Sequence, residues 1–348
     1  MKNQSTQILC EIDLEENGKH CGFLRLPHSV HRSAYGWIPI PIVSIKNGEG
    51  PVVLLMAGNH GDEYEGQVML CELTKALESA DIQGQIIILP MANFPAAKAG
   101  LRTSPIDQGN LNRSFPGDAN GSPTEMIAHY IETELLRRAD YLLDIHSGGS
   151  SLLYTPSLLM AKDNDALKQQ QNMALLNCFG FPQLILFSNA SGENYSSSAA
   201  KRQHCTSITA EVAGGGMITP WALELLRRGL YQYLHFIGIL SSSKLQLIRP
   251  ETAEDKKKNS TCYEIDSLNS YCYALDSGLF EPLVELGEHI VDGQSAAFIH
   301  DPETPWAQPV EVRFNTSGVV LCKRLPARVE RGDCLFEIGS PIDAKNID

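Results

Sequence analysis

Residues 51–66 read PVVLLMAGNHGDEYEG, an unbroken apolar run that passes through a glycine-flanked loop into a helix-like segment. The same order of apolar run and amphipathic segment recurs as far as Leu240, with further apolar runs at 85–92 (QIIILPMA) and 141–145 (YLLDI). Buried strands that alternate with amphipathic helices are typical of an α/β layer. We therefore predict an α/β fold with a largely parallel sheet.

Two histidines stand where these apolar runs end. His60 follows the first run, with Glu63 three residues later, and His146 ends the run YLLDIH. Ligands of such sheets bind beyond the carboxyl ends of the strands, so we expect these side chains to meet at one edge. Two histidines and one carboxylate are a ligand set of catalytic zinc, which keeps one position for water. Taken singly, His60 and Glu63 could be a chance surface pair, and His146 a buried structural histidine.

A third strand-like run, TSITAEVAGGG at 206–216, brings Glu211 to the same edge of the sheet. A carboxylate there could take a proton from a metal-activated water molecule and pass it to the leaving nitrogen. The alternatives for Glu211 are a fourth metal ligand and an anion at a helix N-terminus.

Two long polar segments could complete a site. The segment at 91–117 contains Arg102, Asn112 and Arg113. A guanidinium can hold a carboxylate through two parallel hydrogen bonds or stabilise a developing oxyanion, although each arginine taken singly is more typical of a solvated surface. The segment at 188–204 is long enough for an active-site lid, in which Tyr195 or Arg202 could contact the substrate, or it is a plain surface loop.

Five motifs together resemble the succinylglutamate desuccinylase and aspartoacylase family, which is related to the zinc carboxypeptidases. They are GNHGDE at 58–63, the segment around Arg102, LNRSFPG at 111–117, DIHSGG at 144–149 and EVAGGG at 211–216. The resemblance implies a zinc carboxypeptidase-like α/β/α domain with a central mixed, largely parallel sheet. The segments at 32–51 and 124–132 resemble, more narrowly, the branch that contains N-acetyl-diaminobutyrate deacetylase.

The resemblance also implies a cofactor, an activity and a set of site residues. The cofactor is one zinc ion per subunit, and the activity is hydrolysis of the amide bond of a small N-acyl amino acid by a deacylase or deacetylase. The implied residues are the zinc ligands His60, Glu63 and His146, the general base Glu211, the carbonyl-polarising Arg102, and Asn112 and Arg113 for the substrate carboxylate. No residues can be matched to those that read the side chain in aspartoacylase or the desuccinylase, so the acyl group and the amino acid stay open.

Two other functions stay open beside the deacylase. A metallocarboxypeptidase would use the same ion and arginines but would need an open cleft for a short peptide. A catalytically silent binding protein would retain a metal for structure, in a closed four-ligand site. Serine hydrolases and nucleotide-binding folds are disfavoured, because the chain has no G-x-S-x-G elbow, P-loop or dinucleotide fingerprint.

The composition changes between 241 and 260, where SSSK and EDKKKNS occur. We place a domain boundary near Leu245, with a catalytic domain at 1–244 and a β-rich domain at 245–348. Two passages after it share a pattern of Ser-Gly, apolar strand, glycine and second strand, which predicts a small all-β domain of two similar halves. It is similar to a biotinyl/lipoyl-like fold, but the expected tip at 300–309 has no lysine. We therefore expect a structural or oligomer-forming role for this domain, and we expect the protein to be a homo-oligomer.

Charge and cysteine usage exclude several classes of protein. The net charge of −13 and the pI near 5.2 oppose binding to nucleic acid and to anionic membranes. The start of the chain has no signal-like apolar run, and no stretch is long enough to span a bilayer. Nine cysteines without a C-x-x-C pair fit reduced thiols. We therefore predict a cytoplasmic protein that acts on a small molecule.

Overall fold

The computed structural model describes residues 6–187, 192–247, 260–265 and 268–342. The six α-helices within these ranges are α1 to α6, at Glu65–Ala76, Phe94–Ala99, Pro123–Tyr130, Ala166–Phe179, Ser196–Arg202 and Pro220–Phe236. The strands β1 to β9 are Leu9–Cys10, Gly18–Pro27, Trp37–Asn47, Val52–Ala57, Gly84–Leu89, Tyr141–His146, Leu152–Ala161, Gln183–Phe187 and Thr206–Gly214. The strands β10 to β18 are Thr261–Ile265, Tyr271–Tyr273, Gly278–Pro282, His289–Ile290, Ser295–His300, Val310–Arg313, Gly318–Arg324, Arg328–Val329 and Cys334–Pro341.

The large sheet is mixed, as predicted. Strands β5, β4, β6 and β9 are parallel neighbours in that order, and β7, β8 and β10 form a second parallel group. Strand β7 runs antiparallel to β9, and β1, β2 and β3 extend the other side in antiparallel pairing. The sheet is therefore less parallel than predicted. The prediction rested on the apolar runs that begin at residue 51, and the long antiparallel β2–β3 hairpin lies before that residue.

Helices cover both faces of this sheet. Strand β4 alternates its side chains, so that Val53 and Leu55 face a core shared with α1, α4 and α6. Leu54 and Met56 face the opposite core, shared with α3 and α5. The α/β class and its three layers are thus confirmed. Within the described ranges no helix has the length and apolar character to cross a bilayer.

The strands after residue 260 do not stand apart from the large sheet. Strand β10 pairs with β8 and with β18, and β16 pairs with β18 and with β7. Strands β15, β14, β12 and β17 form a separate four-stranded sheet. The predicted boundary near Leu245 falls in the short helical turn Ser242–Leu247, and the charged stretch at 248–259 lies outside the described residues. The division into two domains stays a prediction.

The strands after residue 277 repeat one pairing pattern, as two similar halves would, while the small all-β domain stays a prediction. In each half two longer strands pair antiparallel: β12 with β14, and β16 with β18. A short strand lies between them in the sequence, β13 in the first half and β17 in the second. The short strand of each half pairs with the first strand of the other half, β17 with β12 and β13 with β16. The halves are therefore intertwined rather than stacked side by side.

We predict that residues 1–244, produced alone, will not form a stable monomer. Strands β7 and β8 would lose their partners β16 and β10, leaving open sheet edges. Ile185, which is fully buried against Tyr263 and Leu321, would become exposed. The fragment should aggregate where the full chain is soluble, as measured by size-exclusion chromatography. A folded, monodisperse fragment would contradict this and would establish 1–244 as an independent domain.

Candidate active site

Three adjacent parallel strands deliver the predicted residues to one edge of the sheet. His60 lies in the loop after β4, and His146 is the last residue of β6. In the register of β6 with β9, His146 lies directly opposite Glu211. Since directly opposed residues of neighbouring strands point to the same face, the two side chains share one side of the sheet. The expectation that they meet at this edge is confirmed.

Glu63 lies between the two histidines. Its Oε1 is 2.7 Å from His60 Nδ1 and its Oε2 is 2.8 Å from His146 Nδ1. All three residues are buried, and the ligand atoms they offer lie within 4.8 Å of one another. Two imidazole nitrogens and a carboxylate that converge in this way fit a single metal ion. This cluster of His60, Glu63 and His146 could therefore hold a metal.

The far ring nitrogens of both histidines face polar partners. His60 Nε2 is 3.2 Å from Asn110 Oδ1, and His146 Nε2 is 3.0 Å from Asp144 Oδ2. Asp144 is fully buried and accepts a hydrogen bond of 2.6 Å from Ser196 Oγ. The contact with Asn110 holds the His60 ring with Nδ1 towards Glu63, and the charge of the nearby Asp144 favours the same orientation of His146. The sequence analysis missed Asp144, although its position two residues before His146 on β6 places it on the same face.

The charges within this cluster depend on one another. Burial alone would raise the pKa of Glu63, but the adjacent His60 and His146 hold the pKa of that carboxyl well below its usual range. Burial lowers the pKa of His60. Burial also opposes charge on His146, but Asp144 and Glu63 outweigh it and raise the pKa of that imidazole. Glu63 is therefore held as a carboxylate, the form that binds metal ions.

Glu211 belongs to the same cavity but not to the cluster. The cavity has a volume of about 540 Å³, and Glu211, His60, Glu63 and His146 all line it. Burial raises the pKa of Glu211 well above its usual value, although His146 acts in the opposite direction. Within the described ranges Glu211 Oε2 is buried without a hydrogen-bond partner. A buried oxygen of this kind is expected to meet a ligand or water, since unpaired buried polar atoms are costly.

The three other predicted residues also line the cavity. The Arg102 side chain is 45% exposed, and its Nη1 lies 3.6 Å from Glu63 Oε1. Asn112 Oδ1 accepts a hydrogen bond of 2.9 Å from the backbone nitrogen of Ser196. The Arg113 guanidinium lies 4.4 Å from the centre of the Tyr195 ring, a cation–π contact. The structure thus brings all seven predicted site residues into one cavity.

The segment at 188–204 is only partly the loop that was expected. Residues 188–191 lie outside the described ranges, and α5 at Ser196–Arg202 packs its alanines into the core. Arg202 donates two hydrogen bonds to the Glu132 carboxylate, at 2.9 and 2.8 Å, and does not line the cavity. The expectation that Arg202 contacts the substrate is therefore wrong. Tyr195 does line the cavity and supports Arg113.

Two glycines allow the loops at this edge to pack closely. A Cβ atom at Gly61, between His60 and Glu63, would lie 2.0 Å from the carbonyl carbon of Ala96. Gly214 has a φ of +136°, and a Cβ there would lie 2.2 Å from Leu152 O. Gly61 of the GNHGDE motif and Gly214 of the EVAGGG motif are thus required by close backbone approach, which holds the polar side chains in place.

Three of the cavity-wall residues that were not predicted come from strands far apart in the sequence. They are Tyr154 on β7, Tyr271 on β11 and Glu337 on β18. Glu337 lies in the run CLFEIG, where an acidic residue interrupts buried apolar neighbours, and this interruption was the available signal. Strands from the C-terminal part of the chain therefore help to build the cavity.

This fold and site define an α/β protein with a candidate metal centre at the carboxyl edge of its parallel strands. Residues 49–237 match the succinylglutamate desuccinylase/aspartoacylase catalytic domain family. N-alpha-acetyl-L-2,4-diaminobutyric acid deacetylase of Halomonas elongata is 37% identical over 345 residues, which are 99% of this chain and 98% of that protein. The chain belongs to the succinylglutamate desuccinylase/aspartoacylase family.

Solved structures agree with this family over almost the whole chain. The product-bound ectoine utilization protein EutE of Ruegeria pomeroyi is 34% identical with a TM-score of 0.89, covering 97% of this chain and 99% of that chain. A succinylglutamate desuccinylase/aspartoacylase of Rhodobacter sphaeroides is 33% identical with a TM-score of 0.89, covering 97% and 100%. The predicted family and the prediction of an N-acyl amino acid amidohydrolase are confirmed.

Proposed function

We propose that this chain is a zinc-dependent deacetylase that hydrolyses N-α-acetyl-2,4-diaminobutyrate to acetate and the free amino acid. The observation that carries this proposal is the convergence of both Glu63 oxygens on two histidine Nδ1 atoms, with Glu211 opposite His146 in the same cavity. The substrate is taken from the relative in Halomonas elongata, which is similar over the full length of the chain.

His60, Glu63 and His146 are the residues that would hold the zinc ion, one per chain. When bound, zinc polarises an amide carbonyl and lowers the pKa of a water molecule. Asn110 and Asp144 act behind the ligands, because they keep both rings turned with Nδ1 towards Glu63. Three protein ligands leave a position for water, as in catalytic rather than structural zinc sites.

Glu211 is proposed as the group that moves the proton. The water oxygen forms a bond to the acetyl carbonyl carbon, and its proton passes to the Glu211 carboxylate. Glu211 then gives this proton to the amide nitrogen as the carbon–nitrogen bond breaks, and the hydroxyl proton of the acetic acid formed passes to the freed amine, releasing acetate and the ammonium form of the product. Its place outside the metal cluster and its unpartnered Oε2 support this role over that of a fourth ligand.

The cations and the amide at the cavity wall are proposed to hold the substrate. Arg102, beside Glu63, would stabilise the negative charge that develops on the carbonyl oxygen during attack. Arg113 would bind the α-carboxylate, and its position over Tyr195 holds the guanidinium in one orientation. Asn112 Oδ1 already accepts a hydrogen bond from the backbone nitrogen of Ser196, so the Nδ2 group of Asn112 is the one that would donate to the substrate α-carboxylate.

The size of the cavity favours a small substrate over a peptide. A metallocarboxypeptidase needs a cleft that continues past the scissile bond, whereas here Tyr271 and Glu337 form part of the wall of a cavity of about 540 Å³. Family membership likewise disfavours a catalytically silent binding protein.

We also propose that 245–348 is the predicted small all-β unit. The cytoplasmic location, the homo-oligomeric state and the lack of nucleic-acid partners stay predictions.

We predict that the purified protein supplied with zinc will release acetate from N-α-acetyl-2,4-diaminobutyrate and will not cleave dipeptides that contain diaminobutyrate. The α-methyl ester of the acetylated substrate should have a kcat/KM lower by roughly tenfold to a hundredfold, because it cannot form the charge-assisted hydrogen bonds to Arg113 and Asn112. Acetate release measured under initial-rate conditions checks both points. Preferential cleavage of dipeptides would overturn the function, and equal kcat/KM for acid and ester would overturn the carboxylate site.

The zinc ligands are tested by metal content. We expect about one zinc per chain in the purified protein, measured by elemental analysis. His146→Ala should lose most of this zinc, since one of three ligands is removed. His31→Ala, at an exposed position, is the matched control and should keep it. Full zinc retention in both His60→Ala and His146→Ala would exclude this metal site.

Glu211→Gln separates proton transfer from metal binding. The variant should keep its zinc, because Glu211 lies outside the cluster, and its kcat should fall by about 10²–10⁴-fold. Glu303→Gln removes the same charge at an exposed position and should leave kcat unchanged. A kcat of Glu211→Gln within about a factor of two of the parent would refute this role, because loss of a general base lowers the rate far more than that.

A further inference from the structure

One wall of the cavity carries an acidic group that the proposed reaction does not use. Glu337 on β18 is buried, lines the cavity and accepts a hydrogen bond of 2.9 Å from the Tyr154 hydroxyl. In the strand register Glu337 lies opposite Tyr271 and Cys322, and Cys322 lies opposite Tyr154. These four side chains therefore form one row across β11, β18, β16 and β7, on the face that lines the cavity.

The surroundings of Glu337 lack a compensating cation. No lysine, arginine or histidine forms an ion pair with it in the part of the chain that the structure describes. Burial raises the pKa of Glu337, although the hydroxyl groups of Tyr154 and Tyr271 act in the opposite direction. A buried carboxyl group without a partner is costly, which favours a positively charged ligand beside it.

The two tyrosines leave room for such a ligand on the carboxylate. An ionised carboxylate offers about four lone-pair sites, of which the Tyr154 hydroxyl uses one, while Tyr271 lies opposite Glu337 on the neighbouring strand. An alkylammonium group has three N–H donors and can take the remaining sites with charge-assisted hydrogen bonds. The tyrosine hydroxyls also orient the carboxylate before the ligand arrives, so less conformational freedom is lost on binding.

We propose that Glu337 binds a cationic amino group on the side chain of the substrate and selects it over substrates whose side chains are neutral or anionic. This inference rests on the proposed function, because the substrate must lie in the cavity with its amide at the metal cluster. The α-carboxylate would then face Arg113, while the side-chain ammonium faces Glu337 on the wall formed by β18. An anionic side chain would meet a carboxylate of the same charge and would be rejected.

The test compares two substrates of similar size in the zinc-loaded enzyme. N-α-acetyl-2,4-diaminobutyrate carries the ammonium, and N-acetylnorvaline carries a methyl group in its place. The parent should prefer the cationic substrate in kcat/KM, and Glu337→Gln, which can still accept a hydrogen bond from Tyr154, should reduce this preference by about tenfold to a hundredfold. Glu288→Gln removes the same charge at an exposed position of the same region and should leave the preference unchanged.

A binding measurement separates the two proposals. By isothermal titration calorimetry, 2,4-diaminobutyrate should bind the parent more tightly than norvaline, and Glu337→Gln should lose this difference. If the parent hydrolyses neither acetylated substrate, the proposed function fails while the calorimetry still decides the role of Glu337. An unchanged preference in Glu337→Gln, or a parent that prefers norvaline, overturns the inference. If Glu337→Gln does not fold, Glu337→Met, which removes the charge in a strand of apolar neighbours, takes its place, and unchanged selectivity in that variant overturns the inference.

Discussion

The parallel register of β6 with β9, which sets His146 opposite Glu211, is the constraint on which the site depends. Parallel neighbours need long crossover connections, so helices must cover both faces of the sheet and the strands must be apolar on both sides. The metal-ligating side chains of such strands lie at or near the carboxyl ends, where the backbone leaves the core. A histidine at the end of β6 and the His60 loop after β4 therefore arrive at one point from separate parts of the chain.

Several carboxyl groups are buried around this point, in a chain of net charge −13. Glu63 and Asp144 face the histidines, while Glu211 and Glu337 line the cavity with raised pKa values. Burial favours the neutral forms of Glu211 and Glu337, and cations in the site would be needed to hold them as carboxylates. Both proposals supply them, since the metal would sit beside Glu63 and a substrate ammonium beside Glu337. The acidic cavity is thus suited to a substrate with a cationic side chain.

The local sequence pattern predicted which residues meet at the carboxyl edge of the sheet, but it did not predict helix α5 or Glu337, whose positions depend on contacts between distant parts of the chain. His60, Glu63, His146 and Glu211 directly follow or end apolar runs, so strand periodicity alone places them at one edge. The helix α5 was missed because its serine-rich start reads as a loop, and only packing of its alanines shows which side is buried. Glu337 interrupts an apolar run, but that local signal does not show which residue it meets, because its partner Tyr154 lies 183 residues away.

The pairing of β18 with β16, and of β16 with β7, makes the C-terminal strands part of the site rather than an appendage. The two proposals thereby place chemistry and selection on different strands: the candidate metal ligands come from β6 and the loop after β4, while Glu337 comes from β18. A substitution on β18 can change the charge that faces the substrate without moving the histidine rings, which Asp144 and Asn110 hold from the other side. Substrate preference in this fold can therefore change while the hydrolytic machinery is retained, because the two depend on separate hydrogen-bonded groups.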